Sequence, residues 1–128
     1  MITAFYASIC ALILVKLSIA VIKLRRKHRV SLGDGGNEAL ITAIAAHSNA
    51  SQYIPISLLL LFVLELNDAN IWLIHLTGLA LVTGRLLHAQ GIVSKMSARV
   101  LGMQMTIYTI IALSILNIFY LPYSEFFQ

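Results

Sequence analysis

Four long apolar segments constrain the fold of this sequence more than any other feature. They cover residues 2–24, about 39–66, 71–91 and 100–121. A helix needs about 20 mostly apolar residues to cross the hydrocarbon core of a bilayer. Lipid offers the backbone no hydrogen-bond partners, and the segments lack the short alternation of barrel strands, so each is predicted to be a helix. The sequence therefore predicts an all-α membrane protein, with four transmembrane helices in a single domain over residues 1–128.

The first segment differs from a cleaved signal peptide. It has no basic start, its apolar run is too long, and its charges follow it. We therefore expect it to remain as a membrane anchor. Cys10, the only cysteine, lies in this run, which excludes an intramolecular disulfide and predicts a small buried thiol.

The positive charges predict the orientation of the helices. The connection 67–70 and the end of the chain carry no Lys or Arg, whereas the nine basic residues fall at or near the other side: Lys16, Lys23, Arg25, Arg26, Lys27, Arg29, Arg85, Lys95 and Arg99. The positive-inside rule then places the 25–37 and 92–99 loops in the cytoplasm and both termini on the non-cytoplasmic side. Attraction to anionic lipid headgroups explains the net charge of +4, so no nucleic-acid partner is predicted.

A glycine-rich stretch, SLGDGGN, connects the first two segments. Its glycines suit a tight turn, and Asp34 or Asn37 is the expected cap of the second helix. A phosphate-binding loop is disfavoured because no strand precedes the stretch and the Lys-Ser/Thr ending of a P-loop is missing.

The second segment begins with an unusual number of hydrogen-bonding groups, in AAHSNASQYIP. Helical spacing predicts one polar or small stripe, formed by Thr42, Ala45, Ala46, Asn49, Gln52, Tyr53 and Ile56. His47 and Ser51 lie off this stripe, and the Ser51 hydroxyl is expected to bond to the backbone carbonyl of His47. Pro55 removes one backbone donor where the polar run ends.

Ionisable groups also lie within other spans. Arg85 and His88 share a face of the third helix, and Lys16 lies inside the first. An arginine at the membrane centre costs roughly 3 kcal/mol, so it must face protein or water, or reach the interface. Two interpretations remain open: polar groups that bond between packed helices, or one wall of a cationic pocket that opens to the cytoplasm. A metal site is not predicted, because no His-x-x-x-His or Glu-x-x-His spacing occurs.

Three blocks carry a family resemblance. HSNASQYIP, GRLLHAQG and ARVLGMQMT follow one another in order, after RVSLGDGG. Together they resemble the membrane-associated proteins in eicosanoid and glutathione metabolism, the MAPEG family, and especially its small bacterial inner-membrane members. The resemblance covers nearly the whole chain and implies a multi-pass protein of the bacterial inner membrane.

The resemblance also implies an assembly and a site. It implies a homotrimer of four-helix bundles that binds glutathione between subunits. Arg99 matches the arginine that stabilises the glutathione thiolate and is the predicted catalytic residue. Arg25 and Arg26 match basic residues that hold glutathione, and Asn49, Gln52 and Tyr53 would orient it. The implied activity is that of a glutathione-dependent transferase or peroxidase acting on lipophilic substrates.

The chain departs from the family pattern at four positions. Ala45 stands where an arginine is common and Gln52 where a glutamate is common, while His88 and Ile92 replace tyrosines. His47, Arg85, His88 and Lys95 are the groups that could substitute in binding. The alternative hypothesis is therefore a non-catalytic protein that binds a lipid or another amphiphilic anion, or serves a structural role. A cation transporter is disfavoured, because the helix centres lack an acid.

Overall fold

The computed structural model describes residues 1–91 and 96–123. Within them the chain forms four helices: α1 (Ile2–His28), α2 (Glu38–Leu66), α3 (Ile71–Gly91) and α4 (Met96–Phe119). All four are long and apolar enough to cross a membrane, and no strand occurs in the described residues. This confirms the predicted all-helical architecture.

Two helices extend beyond the predicted apolar segments. α1 continues through Arg25, Arg26, Lys27 and His28, so the first connection is shorter than the expected 25–37 loop. α4 begins at Met96, which places Arg99 in its first turn instead of in a loop. The charged residues mark where the apolar, membrane-spanning part of each segment stops, but the helix continues beyond it. For α1, basic side chains in the last turn also interact favourably with the helix dipole.

The connection between α1 and α2 is a glycine turn, as predicted. Gly33, Gly35 and Gly36 all have positive φ. Two features disfavour a side chain at Gly35. Its positive φ suits glycine, and an added Cβ would lie 2.8 Å from a methyl carbon of Val30. The Asn37 side chain accepts a hydrogen bond from the backbone of Leu40 at 3.0 Å, which makes Asn37 the cap of α2.

The helices are arranged around a square in the order α1, α2, α4, α3. α3 and α4 make the most extensive contact, and α2 also touches α3 across the diagonal. Between the described helices α1 and α4 there is no contact, so they occupy opposite corners. We call the end of the bundle that carries the end of α1 and the start of α4 the basic end. Arg25, Arg26 and Arg99 all lie there.

Buried side chains fill the centre, and apolar side chains also cover the outside. Cys10, Leu61, Leu81 and Leu113 are completely buried, which confirms the buried thiol predicted for Cys10. Outward-facing leucines and isoleucines remain exposed on every helix, as lipid contact requires. Polar bonds add specific links, such as that from the Asn117 amide nitrogen to the carbonyl of Leu60 at 2.9 Å.

Glu65 links the end of α2 to the start of α1. Its carboxylate accepts hydrogen bonds from the backbone N–H groups of Ile2 and Thr3, the second at 2.8 Å. A carboxylate at a helix N-terminus satisfies free N–H groups and complements the helix dipole. The Glu65 side chain therefore caps the N-terminus of α1, although it belongs to a distant part of the sequence.

We expect Glu65→Ala to lower the free energy of unfolding by about 1–2 kcal/mol, the usual cost of a lost N-cap. Unfolding of the detergent-solubilised protein by sodium dodecyl sulfate, followed by circular dichroism, measures this loss. Asp68→Asn, which removes the charge of an exposed acid three residues away and keeps a residue type that tolerates the positive φ of 53° there, is the control. Equal stability of the two variants would contradict a capping role for Glu65.

Candidate functional site

A buried arginine lies at the centre of the polar residues. Only 2% of Arg85 is exposed, on the inner face of α3. Its Nε donates to Thr106 Oγ1 at 3.0 Å, and its Nη1 donates to Asn49 Oδ1 at 2.9 Å. Its guanidinium carbon lies 5.8 Å from the ring centroid of Tyr53, within range of a cation–π interaction. α2 and α4 thus meet α3 at this one side chain.

Met103 completes this group, which we call the Arg85 cluster: Asn49, Tyr53, Arg85, Met103 and Thr106. The Met103 sulfur lies 4.0 Å from Arg85 Nη2 and 3.7 Å from Asn49 Nδ2. Thr106 Oγ1 donates to the carbonyl of Gly102 at 2.9 Å, which turns its lone pairs toward Arg85. Across the described residues, no carboxylate pairs with Arg85. The Arg85 guanidinium therefore contacts neutral oxygens, a sulfur and an aromatic ring.

Two members of the cluster were not predicted as site residues. Met103 and Thr106 both belong to the block ARVLGMQMT, three positions apart, so they share a face of α4. That spacing, next to a buried arginine in need of acceptors, is the signal that would have identified them. The cluster brings together three predicted residues, Asn49, Tyr53 and Arg85.

His88 lies one turn beyond Arg85 and is 5% exposed. It faces Gly102 of α4: a Cβ on that glycine would lie 2.9 Å from the Cα of His88. His88 is thus buried at a close contact between the backbones of α3 and α4, near the basic end.

The other polar residues at the start of α2 point elsewhere. His47 is half-buried, and its Nε2 lies 2.9 Å from the hydroxyl of Ser18 on α1. The Ser51 hydroxyl donates to the His47 carbonyl at 2.9 Å, as predicted. Gln52 is exposed on the outside of the bundle and does not join the Arg85 cluster. The predicted stripe is therefore divided between the interior and the outer surface.

The basic end carries a second group of cations. Arg25 is half-buried, and its Nη1 is shielded from solvent without a hydrogen-bond partner in the described part of the chain. Beside it is an open cavity of about 430 Å³, lined by Ile22, Arg25, Arg26, Arg29, Val30 and Ser31. Arg26 is exposed, as is Arg99 on α4.

A single chain does not bring Arg99 and Arg25 together through helix contacts. Arg99 lies on α4 and Arg25 on α1, at opposite corners of the bundle. Lys95 and Ile92, which the sequence placed near this site, lie outside the described residues. The geometry therefore consists of an interior cluster whose arginine is already bonded and a basic end whose arginines are available to an anion.

The sequence model of the MAPEG family matches residues 3–119. The chain belongs to the MAPEG family. It is 38% identical to the inner membrane protein YecN of Escherichia coli K12 over 129 residues, which cover all of this chain and 98% of that protein. YecN of E. coli O6:H1 strain CFT073 gives the same identity and coverage.

The family match and the helices agree about location. Family membership confirms the resemblance carried by the three sequence blocks. The E. coli relative is an inner membrane protein, and this MAPEG protein has four helices of spanning length. It is therefore a multi-pass inner membrane protein.

Proposed function

We propose that this protein is a glutathione-dependent transferase or peroxidase that acts on lipophilic substrates at the inner membrane. The observation that carries the proposal is the set of arginines at the basic end. Arg25, Arg26 and Arg99 form no ion pair with an acid within residues 1–91 and 96–123. Glutathione carries two carboxylates and a thiol, and the shielded Nη1 of Arg25 needs such an acceptor.

The same charges support an orientation. All described Lys and Arg side chains lie in the half of the bundle toward the basic end, whereas Glu65 and Asp68 lie at the opposite end. From the positive-inside rule we infer that the basic end faces the cytoplasm and that the N-terminus of α1 lies on the other side. Cytoplasmic glutathione would reach the arginines directly.

Assembly would complete the site. Because α1 and α4 occupy opposite corners of one chain, a neighbouring copy is the natural means of placing Arg99 of one subunit beside Arg25 of the next. We propose a homotrimer with the site between subunits. Closed cyclic symmetry would then form three equivalent sites.

Each arginine would have a distinct task. A free thiol has a pKa near 8.5 and is mostly protonated at neutral pH. Donation from the Arg99 guanidinium would favour the nucleophilic thiolate, while Arg25 and Arg26 would bind carboxylates. Asn49 and Tyr53 would contact the peptide. Arg85 would be a positioning residue, because its hydrogen bond to Asn49 Oδ1 orients the Asn49 amide. His47 and His88 line the same half of the bundle, whereas Gln52 would require a neighbouring subunit.

One observation favours a second candidate, a non-catalytic protein that binds an amphiphilic anion. Ala45 and Gln52 are neutral and exposed where the family resemblance leads us to expect an arginine and a glutamate. In addition, the carbonyl of Asn49 is already engaged by Arg85. Both features weaken the recognition of a tripeptide without weakening the attraction for an anion.

The two candidates predict different ultraviolet spectra. If the proposal holds, glutathione added to the detergent-purified protein gives thiolate absorbance at neutral pH. The absorbance disappears in Arg99→Ala and is unchanged in Lys27→Ala, which removes an exposed charge outside the site.

If wild type shows no thiolate absorbance at cellular glutathione concentrations, the enzyme proposal fails and the anion-binding candidate is favoured. An equal loss in both variants would show that Arg99 acts only through net charge, and would remove its catalytic assignment.

A further inference from the structure

Lys16 is a charged side chain in the middle of an apolar helix. It is exposed on the outer surface of α1, with Lys23 seven residues later on almost the same line, since seven residues make nearly two turns. No acidic side chain pairs with either lysine in the described ranges 1–91 and 96–123. The Arg85 cluster and the basic end use neither residue. Their position therefore needs a separate explanation.

Two apolar grooves flank Lys16. The α1–α3 groove has a volume of about 430 Å³ and is lined, beside Lys16, by Ile13, Leu17, Ala20, Leu86, Ala89 and Gln90. The outer groove has a volume of about 390 Å³ and is lined, beside Lys16, by Leu12, Val15, Ile19, Ala20 and Lys23. Ala20 lines both grooves; at 100° per residue, the other α1 residues of the two sets lie on opposite sides of Lys16. Lys16 is thus a cation between two apolar channels.

The depth of Lys16 suits a lipid headgroup. Across the α1–α3 groove it faces Leu86, Ala89 and Gln90, in the last turn and a half of α3, which ends at Gly91. The flexible lysine stem can carry its ammonium group further toward the interface. Lys23 continues the line beyond the end of α3. A phosphate near the membrane surface can therefore reach the Lys16 ammonium while hydrocarbon chains occupy the grooves beside it.

We propose that this surface binds one anionic diacyl phospholipid, with one acyl chain in each groove. The Lys16 ammonium would bind the lipid phosphate, and Lys23 would favour a headgroup without a compensating positive charge. The apolar side chains of the two grooves would contact the acyl chains. The proposal does not depend on glutathione binding, because none of these residues belongs to the proposed site.

The proposed subunit contact at Arg25 uses the opposite side of α1, because Arg25 lies nine residues from Lys16 and thus about 180° around the helix. A second copy of the chain fits the Lys16 surface less well. Ser18 bonds to His47, so Lys16, two residues before Ser18, lies near the level of His47. His47 is about 14 Å of helical rise from Glu38 along α2. Glu65 and Asp68 lie at the other end of the bundle. The described residues of another copy thus offer no carboxylate at this depth, and burying an unpaired ammonium costs several kcal/mol. A lipid phosphate supplies the missing charge.

Native mass spectrometry of the detergent-purified protein tests the proposal. The probes are palmitoyl-oleoyl phosphatidylglycerol and phosphatidylcholine, which have the same chains but differ in net charge. We expect wild type to bind phosphatidylglycerol about fivefold to tenfold more strongly, given the strength of a lysine–headgroup attraction. Lys16→Met should abolish the preference and Lys23→Gln should reduce it. Arg29→Gln should leave it unchanged, because exposed Arg29 lies about 140° from Lys16 around the helix.

Three outcomes would overturn the proposal. One is equal binding of the two lipids by wild type. Another is an equal effect of Arg29→Gln and Lys16→Met, which would indicate diffuse charge attraction. The third concerns a second copy: disulfide cross-linking of Val15→Cys in a Cys10→Ala background in native membranes would show that another chain covers this face. An unchanged unfolding midpoint for Lys16→Met confirms that the variant is folded.

Discussion

Replacing Gly102 with alanine should lower the free energy of unfolding by about 3 kcal/mol, the upper part of the usual range for an overpacked core. A Cβ at this position would lie 2.5 Å from the carbonyl oxygen of Gly84 and 2.9 Å from the Cα of His88. Both are backbone atoms of α3, so no side chain can rotate away. α3 and α4 would have to separate along their most extensive contact.

The measurement is unfolding by sodium dodecyl sulfate in mild detergent, followed by circular dichroism. Gln104→Ala is the control, because Gln104 is exposed on the same helix and its loss should cost less than about 0.5 kcal/mol. Small residues are the usual means by which membrane helices approach closely. Wild-type stability of Gly102→Ala would therefore contradict the close α3–α4 contact.

Much of the fold could be predicted from the sequence, because the bilayer imposes a length and a composition on each helix. The four spans, the turn at Gly33–Gly36, the Asn37 cap and the buried thiol of Cys10 all follow from local patterns. The end of α1 and the start of α4 could not be predicted in this way. Arg25–His28 and Met96–Arg99 lie beyond the apolar segments but are still helical. Apolar length predicts the membrane boundary, and hydrogen bonding decides the helix boundary.

The site was harder to predict because helical spacing does not fix how a helix is rotated in the bundle. Gln52 and Tyr53 lie on either side of Asn49, separated from each other by 100° around α2. Packing against α3 and α4 then partly buries Tyr53 and leaves Gln52 exposed. Thr106 was missed for a related reason: a threonine in an apolar helix commonly bonds to its own backbone, and only its contact with Arg85 shows a second role.

The Arg85 cluster should be the most sensitive polar group in the protein. Arg85→Ala removes a fully enclosed side chain and leaves Asn49 and Thr106 without their donor. We expect a loss of about 3–5 kcal/mol, from the cavity together with the unpaired acceptors. Asn49→Ala should cost about 2 kcal/mol, because it leaves Arg85 Nη1 unsatisfied. The exposed Arg26→Ala is the matched control and should change stability by less than about 0.5 kcal/mol.

A double-mutant cycle distinguishes the hydrogen bond from the cavity. If Arg85 Nη1 and Asn49 Oδ1 interact over 2.9 Å as observed, the two single losses will not add. The loss of stability in the double variant should be smaller than the sum of the two single losses by about 1–2 kcal/mol. Additive losses would show that the bond contributes nothing to stability, and Arg85 could then not position the Asn49 amide. A coupled loss would mean that one guanidinium joins α2, α3 and α4 while keeping the amide fixed beside the basic end, where a ligand would meet it already oriented.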